Sequence, residues 1–394
     1  MKKQVIVIGA SSESVYAINI AKQRGYEVIA FDGNPDALGL QYADVSYVTD
    51  IRTPENITNL LSDKPDFVLP VPMGRYLTST GAVNDMLRLR GISKAATQNC
   101  TDKYRFHQTL SDRHLRSNQC LLIPSGTPFN SIQIEPNFFP FILKPRYGSG
   151  SKGVYRIDTN EEFQKISAYT FPSDDDYIAE TLFTGTEYGA DGFVLNGRLF
   201  LLLIREKLLT NPPYCQCVGY LSLNNTEYAS FYQTTATNLQ QVTDALEMDN
   251  CIFHCDFMGD DTHTDVIEIS ARPSGHNLHN LFTPLATGVS MIDTYIDFME
   301  GKPFTDKAYR TKTMLIGYFD FENCTITNIP SKDEVKSQLR DSLITYECHI
   351  SPGYMETVAN GPILMKRGYY ILEGTDKEDL LSKRQQLKNC FTVE

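Results

Sequence analysis

No apolar run in this 394-residue chain approaches the roughly 20 residues needed to cross a bilayer, so no membrane partner is expected. No stretch is rich in lysine and arginine either: 36 basic residues stand against 48 acidic ones, a formal net charge of -12. A nucleic-acid partner is therefore not expected, and any bound polyanion has to be met by locally placed cations against a repelling mean field. Nine cysteines are present, yet none forms a Cys-x-x-Cys pair. The tight clusters Cys215-Gln216-Cys217 and Cys251 with His254-Cys255 match no common zinc spacing. An odd number of thiols, with no secretory pattern after Met1-Lys2-Lys3-Gln4, sets the expectation of reduced cysteines in the cytoplasm. What remains is a globular composition, 41% hydrophobic and 21% charged, at a length that suggests about two to three domains.

The chain opens with a βαβ pattern: a buried strand from Val5 to Ile8, a turn at Gly9-Ala10-Ser11, a helix over 14–24 stopped by Gly25, and a strand over 27–31. Such a unit predicts a parallel sheet. Ser11 and Ser14 stand where a dinucleotide fingerprint has its second and third glycines, and Asp32 in Asp-Gly-Asn-Pro reads as a turn former rather than a ribose ligand. A further strand over 67–70 runs into Val71-Pro72-Met73-Gly74-Arg75 at its carboxyl end, where ligands commonly bind in open α/β sheets. Arg75 there either faces a substrate or, the commoner fate, lies in solvent. Thr101 is expected to cap a helix opening at Lys103.

Phe141 to Ile157, FILKPRYGSGSKGVYRI, reads as an apolar strand ending in Lys144-Pro145, then a loop, then a second strand from Val154. The loop contains Gly148, Ser149, Gly150, Ser151, Lys152 and Gly153. Glycines let backbone N–H groups approach an anion closely, while the serines and Lys152 add donors. Lys144 would set an ammonium beside the same phosphates. Taken alone, the stretch is either a phosphate cover or an ordinary flexible hairpin. After a strand ending in Glu180, Thr181-Leu182-Phe183 reads as a hinge whose backbone could pair with an adenine edge. Glu187 then precedes strands joined by Asn196-Gly197, a strong hairpin signal.

Downstream, strands over 254–257 and 265–272 flank a polar turn. Alternation puts His254 and Asp256 on one face of the first strand, and Glu268, Ser270 and Arg272 on one face of the second. Two carboxylates brought together across a hairpin invite a cation, and Mg²⁺ is the economical one. The bland alternative is a solvent-facing hairpin with a Glu–Arg pair.

Read together, Lys103, Lys144, the Gly148–Gly153 loop, Glu180, Glu187, Asp256, Glu268 and Arg272 resemble the ATP-grasp superfamily in order and approximate spacing, over about residues 1 to 300. Within it the chain is most similar to the carboxylate–amine ligases, including the L-amino acid ligases that make dipeptides. Arg205-Glu206-Lys207, Pro212-Pro213 and Ser270 to Gly275 carry that closer similarity. The resemblance implies an ATP-grasp fold in three parts: a doubly wound N-terminal domain over 1–98, an antiparallel ATP-binding core over 99–302 with a lid at about 115–190, and an α+β subdomain over 303–394. It implies that Lys103, Lys144 and the glycine loop hold the phosphates of ATP. Glu180, Thr181, Leu182 and Phe183 would line the adenine pocket, and Glu187 would take the ribose hydroxyls. Asp256, Glu268 and Ser270 would bind Mg²⁺, for which Mn²⁺ can substitute. Arg272 would be catalytic. Ser270 is a departure, since that position is often asparagine in the family. Substrate-side candidates are Arg75, Arg205, Lys207, Ser274, Gly275 and His276.

The implied activity is ADP-forming ligation of a small carboxylic acid to an amine, with a homodimer expected by resemblance. The rivals are an ATP-grasp enzyme for another acid, of the bicarbonate or purine type, a nucleotide-binding protein without turnover, and an NAD enzyme resting on the first βαβ unit. The last 95 or so residues read as strands and helices without chemistry of their own, and His349 as structural or solvent-facing.

Overall fold

Val5 to Ile8 are at most 1% exposed, because this strand is covered on both faces, as parallel strands usually are. The computed structural model describes residues 3–128, 131–148, 153–165, 175–211, 216–304, 310–358 and 361–394. Its strands, in chain order, begin with β1 (Gln4–Ile8), β2 (Glu27–Asp32), β3 (Val45–Val48), β4 (Phe67–Val68), β5 (Cys120–Ile123), β6 (Phe141–Pro145), β7 (Tyr155–Ile157), β8 (Tyr177–Thr181) and β9 (Glu187–Leu195). They continue with β10 (Arg198–Leu209), β11 (Cys217–Ser222), β12 (Cys251–Gly259), β13 (Thr264–Ser270), β14 (Met314–Tyr318), β15 (Cys324–Asn328), β16 (Leu343–Cys348), β17 (Gly353–Met355), β18 (Gly368–Glu373) and β19 (Thr392–Val393).

The chain divides into two compact units, the first made of Met1–Ser117, Gly189–Leu203 and Ser230–Tyr309. Its N-terminal sheet has the order β3-β2-β1-β4, all parallel, as the opening βαβ pattern predicts. Strand alternation splits the side chains between two cores. Val5, Val7, Val28 and Ala30 pack with Ala17, Ile18 and Ala21 of the helix Val15–Gln23, and with Met291, Ile292, Tyr295 and Ile296 of the helix Met291–Met299. Ile6, Ile8, Ile29 and Phe31 point the other way, toward Ile57 and Val83. Residues near the N-terminus thus share a core with residues almost 300 positions later. The same unit holds the antiparallel hairpin β12–β13, with β9 next in the sheet order. Asn196 and Gly197 both have positive φ, 53° and 73°, the backbone a two-residue hairpin turn needs.

The second unit is Asn118–Tyr188, Ile204–Ala229 and Arg310–Glu394. A four-stranded antiparallel sheet, β5-β8-β6-β7, covers a core of Ile123, Phe138, Phe141, Leu143, Phe163 and Tyr177. Strands β11-β14-β18-β16 form an antiparallel array over a second core that includes Phe319, Val335, Tyr370 and Leu387.

One local expectation is corrected. Asp102, not Thr101, caps the helix Lys103–Asp112: its carboxylate accepts the Tyr104 and Arg105 N–H groups, while the Thr101 hydroxyl is spent on the Thr97 carbonyl of the preceding helix. Gly361 opens the short helix Gly361–Arg367. The 17-residue helix Ala229–Ala245 has four threonines, poor helix formers by propensity; its burial of Phe231, Thr235, Leu239 and Val242 at helical spacing overrides them. Among the described residues no helix is long and apolar enough to cross a membrane.

Candidate active site

The predicted site residues fall in both units, and each set is built by its own strands. In the second unit, Lys144 is the penultimate residue of β6 and Glu180 lies on β8, with Ile142 opposite Glu180 and Lys144 opposite Ile178. Lys144 and Glu180 are therefore diagonal neighbours on one face, a spacing that long side chains bridge. They form an ion pair, each side chain under 10% exposed. Gly153, with φ of 73°, lies so near Pro145 that a Cβ there would come within 3.2 Å of the proline ring. Gly148 precedes it, while Ser149, Gly150, Ser151 and Lys152 lie outside the described residues. Of the hinge, Thr181 has already committed its backbone: its N–H donates to the Gln119 carbonyl, and its own carbonyl accepts from the Asn118 amide. Leu182 and Phe183 follow it, both half-buried. Glu187 is engaged by Lys207, Nζ to Oε1 at 2.6 Å. Arg205 is fully buried, its guanidinium 5.5 Å from the Tyr220 ring centre.

In the first unit, β12 and β13 decide the geometry. Phe257 pairs with Val266, so a regular ladder would set Ile267 opposite Asp256; a bulge inserts one residue, and Glu268 stands there instead. His254 then opposes Ser270. Two carboxylates with a hydroxyl nearby make a hard oxygen donor set, and among the described residues no three His, Cys, Asp or Glu side chains gather into a metal cage. A hard oxygen donor set is the kind Mg²⁺ takes, typically with one or two protein carboxylates and the rest of its shell from phosphate and water.

Past β13, the Arg272 Nη1 donates to the Pro273 carbonyl at 2.9 Å. Arg272 also lines a crevice of about 20 Å³ with Met73, Asn84 and Asn250, which brings the loop leaving β4 to its side. Arg75 on that loop is exposed and packed over Tyr76. Ser274 is fully buried. His276 and Asn277 both take left-handed backbone, φ 59°, before a π-helical turn, Leu278–Phe282. Beside this turn the structure adds a residue that sequence reasoning missed, Glu13. Its carboxylate accepts the His276 N–H at 2.6 Å and lies 3.0 Å from where a Cβ on Gly275 would sit, so the absence of a side chain at 275 is what lets it in. Glu13 sits on the turn after β1, and nothing local in Ser12-Glu13-Ser14 marks it out. Lys103 opens its helix half-buried.

Burial holds the His276 ring below the ordinary histidine range, with Arg272 and His254 adding to it against Glu13 and Asp256. His279 is likewise lowered, by burial first, although its hydrogen bond to the Ser274 carbonyl pulls the other way. With Nδ1–H donating to that carbonyl, Nε2 is buried and has no protein partner among the described residues, so protonating it would bury an uncompensated charge. The unfolded chain protonates this histidine near 6.5 and the folded chain only at lower pH. Stability is therefore expected to fall as pH drops below about 6.5. Comparing urea midpoints of the parent and His279→Gln at pH 7.5 and 5.5 checks this; an equal loss in both proteins would clear His279.

Burial also pushes the Cys100 thiol up to about 12 and the Cys217 thiol up to about 11, so neither is a thiolate nucleophile near neutral pH.

A family model described as an ATP-grasp domain matches residues 137–279. The chain contains an ATP-grasp domain. It has the ATP-grasp fold, with the parallel sheet first and antiparallel sheets after it, as the ordered residues imply. The L-amino acid ligase from Bacillus licheniformis superposes with a TM-score of 0.77 at 16% identity, covering 100% of this chain and 98% of that one. Phosphoribosylglycinamide synthetase from Anaerococcus prevotii gives 0.70 at 16% identity, covering 100% and 99%. At these identities the likeness is one of fold. In sequence, the formate-dependent phosphoribosylglycinamide formyltransferase of Prochlorococcus marinus (strain MIT 9515) is 22% identical over 264 residues, 64% of this chain and 63% of that relative's length.

Proposed function

We propose that this ATP-grasp protein is an ADP-forming ligase that activates a small carboxylic acid, an amino acid in the first instance, as an acyl phosphate and joins it to an amine. The observation that carries the reading is the bulged hairpin, which faces Asp256 with Glu268 just upstream of Arg272. Lys103, Lys144 and the Gly148–Gly153 loop would hold the phosphates, Leu182 and Phe183 the adenine edge, and Glu187 the ribose. Asp256 and Glu268, with Ser270 directly or through water, would hold Mg²⁺, which when bound supplies neutralisation of the phosphate charge. The division at residues 98 and 302 belongs to the same proposal.

A substrate carboxylate oxygen attacks the γ-phosphorus as the bond to the bridging oxygen breaks, giving ADP and an acyl phosphate. The amine nitrogen then adds to the acyl carbon, phosphate leaves, and the nitrogen gives up a proton. No covalent protein nucleophile is needed; the chain positions the reactants and stabilises charge. Arg272 would meet the transferring phosphoryl group or a substrate carboxylate. Glu13 and Arg272 flank the Pro273–His276 turn with opposite charges, a pattern matched to the ammonium and carboxylate of an amino acid.

A different acid is the second reading, favoured by the formate-dependent sequence relative. An NAD enzyme is less well supported: at the first βα turn Asp32 accepts the Ala10 and Asn34 N–H groups, at 2.6 and 2.8 Å, and Glu13 is engaged by His276. The test is ADP and phosphate release from ATP and Mg²⁺ with single amino acids, amino-acid pairs, formate and bicarbonate, with mass spectrometry of products. Release that needs an amino-acid pair and yields an amide mass is expected. Release with formate or bicarbonate alone would transfer the protein to the second reading.

A further inference from the structure

Asp191 lies within β9 and is fully buried. Its Oδ2 accepts from the hydroxyls of Ser274 and Thr283, at 3.1 and 3.0 Å. Its Oδ1 stands 3.3 Å from Nδ1 of His254 on the neighbouring strand β12. The other nitrogen of that ring, Nε2, lies 3.4 Å from Oδ1 of Asp256, an ion-pair contact without hydrogen-bond geometry. His254 and Asp256 are two apart on one strand, so they share a face, and a rigid two-ended ring there spans from a buried carboxylate to the one opposite Glu268.

We propose that His254, oriented by Asp191, is a positioning residue for Asp256 and thereby sets the affinity of this hairpin for the divalent ion. The proposal rests on the reading that Asp256 and Glu268 bind Mg²⁺. A carboxylate on a strand can rotate about two torsions, and a ligand whose rotamer is not held loses affinity; partners of this kind are typically worth about 10- to 100-fold in metal binding. The ring does this without being a ligand itself. Asp191 serves the turn as well, because the same carboxylate takes the Ser274 hydroxyl, so the metal strand and the turn after Arg272 are referred to one buried anchor.

The test measures Mn²⁺ affinity by electron paramagnetic resonance, on the full chain with a non-hydrolysable ATP analogue. His254→Phe, which keeps a ring but removes both nitrogens, is expected to weaken Mn²⁺ binding by about 10- to 100-fold. His254→Gln, whose amide can still meet Asp256, should recover most of that loss. Asp191→Asn should weaken binding in the same direction, and the Asp191→Asn/His254→Phe double variant should bind no more weakly than His254→Phe alone, because both act through one contact. A folded His254→Phe protein with Mn²⁺ affinity within about twofold of the parent overturns the proposal, as does a double variant whose losses add. If His254→Phe fails to fold, Asp191→Asn decides: parent-like affinity there overturns it. A parent that binds no Mn²⁺ with the nucleotide analogue would instead sink the metal assignment beneath it, an outcome distinct from a binding parent with insensitive variants.

Discussion

A Glu268→Gln protein is expected to lose turnover by about 10³-fold while melting no lower than the parent in the absence of ligand. Both halves follow from the bulge that sets Glu268 opposite Asp256. Like charges directly across a ladder repel, so replacing one by an amide of the same shape removes a cost from the unliganded fold. If Asp256 and Glu268 hold the metal as proposed, the variant would lose one of two anionic ligands, and a Lewis-acid contribution of several kcal/mol corresponds to a thousandfold or so in rate. Melting curves with and without Mg²⁺ and ATP separate the two effects. The parent should gain about 2.7 kcal/mol at a ligand concentration 100 times Kd, and the variant little. Turnover unchanged at saturating Mg²⁺ would remove Glu268 from the metal site.

Lys144→Ala is expected to weaken ATP binding about 10- to 100-fold, the worth of a hydrogen bond to a charged group. It should also cost about 3–5 kcal/mol of stability, a separate effect with a separate cause. Glu180 is buried to 5% exposure and paired with Lys144, so truncating the lysine leaves a carboxylate without its cation in a poorly solvated place. The Lys144→Met/Glu180→Gln double variant distinguishes the two: it should recover most of the stability and none of the affinity. Calorimetric titration with ATP and Mg²⁺ alongside urea unfolding gives both numbers. An unaltered nucleotide affinity in Lys144→Ala would undo the phosphate assignment for this lysine.

The fold class was legible because its signals are local. Val5 to Ile8, the helix that follows and Gly25 spell out a βαβ unit, Asn196-Gly197 dictates a hairpin, and the alternation through 254–257 marks a strand. The helix Ala229–Ala245 was missed because its threonines argue against it and its apolar positions are widely spaced. Asp191 and Glu13 were missed for a different reason. A buried aspartate and a turn glutamate look ordinary in sequence, and their meaning comes from partners 83 and 263 residues away.

By itself the sequence determined which faces of β12 and β13 carry Asp256 and Glu268, since side chains alternate along any strand whatever it pairs with. It determined the order of lysines, glycines and carboxylates as well, from which the ATP-grasp resemblance was drawn. Tertiary structure alone decided that Glu268 rather than Ile267 stands opposite Asp256, because a one-residue bulge is a property of two strands pairing and not of either. It decided too that the helix Met291–Met299 completes the core of the first sheet, and that Gly275 leaves room for Glu13. Such contacts join segments far apart in the chain, and the packing and electrostatics that select them exist only once the chain has closed on itself.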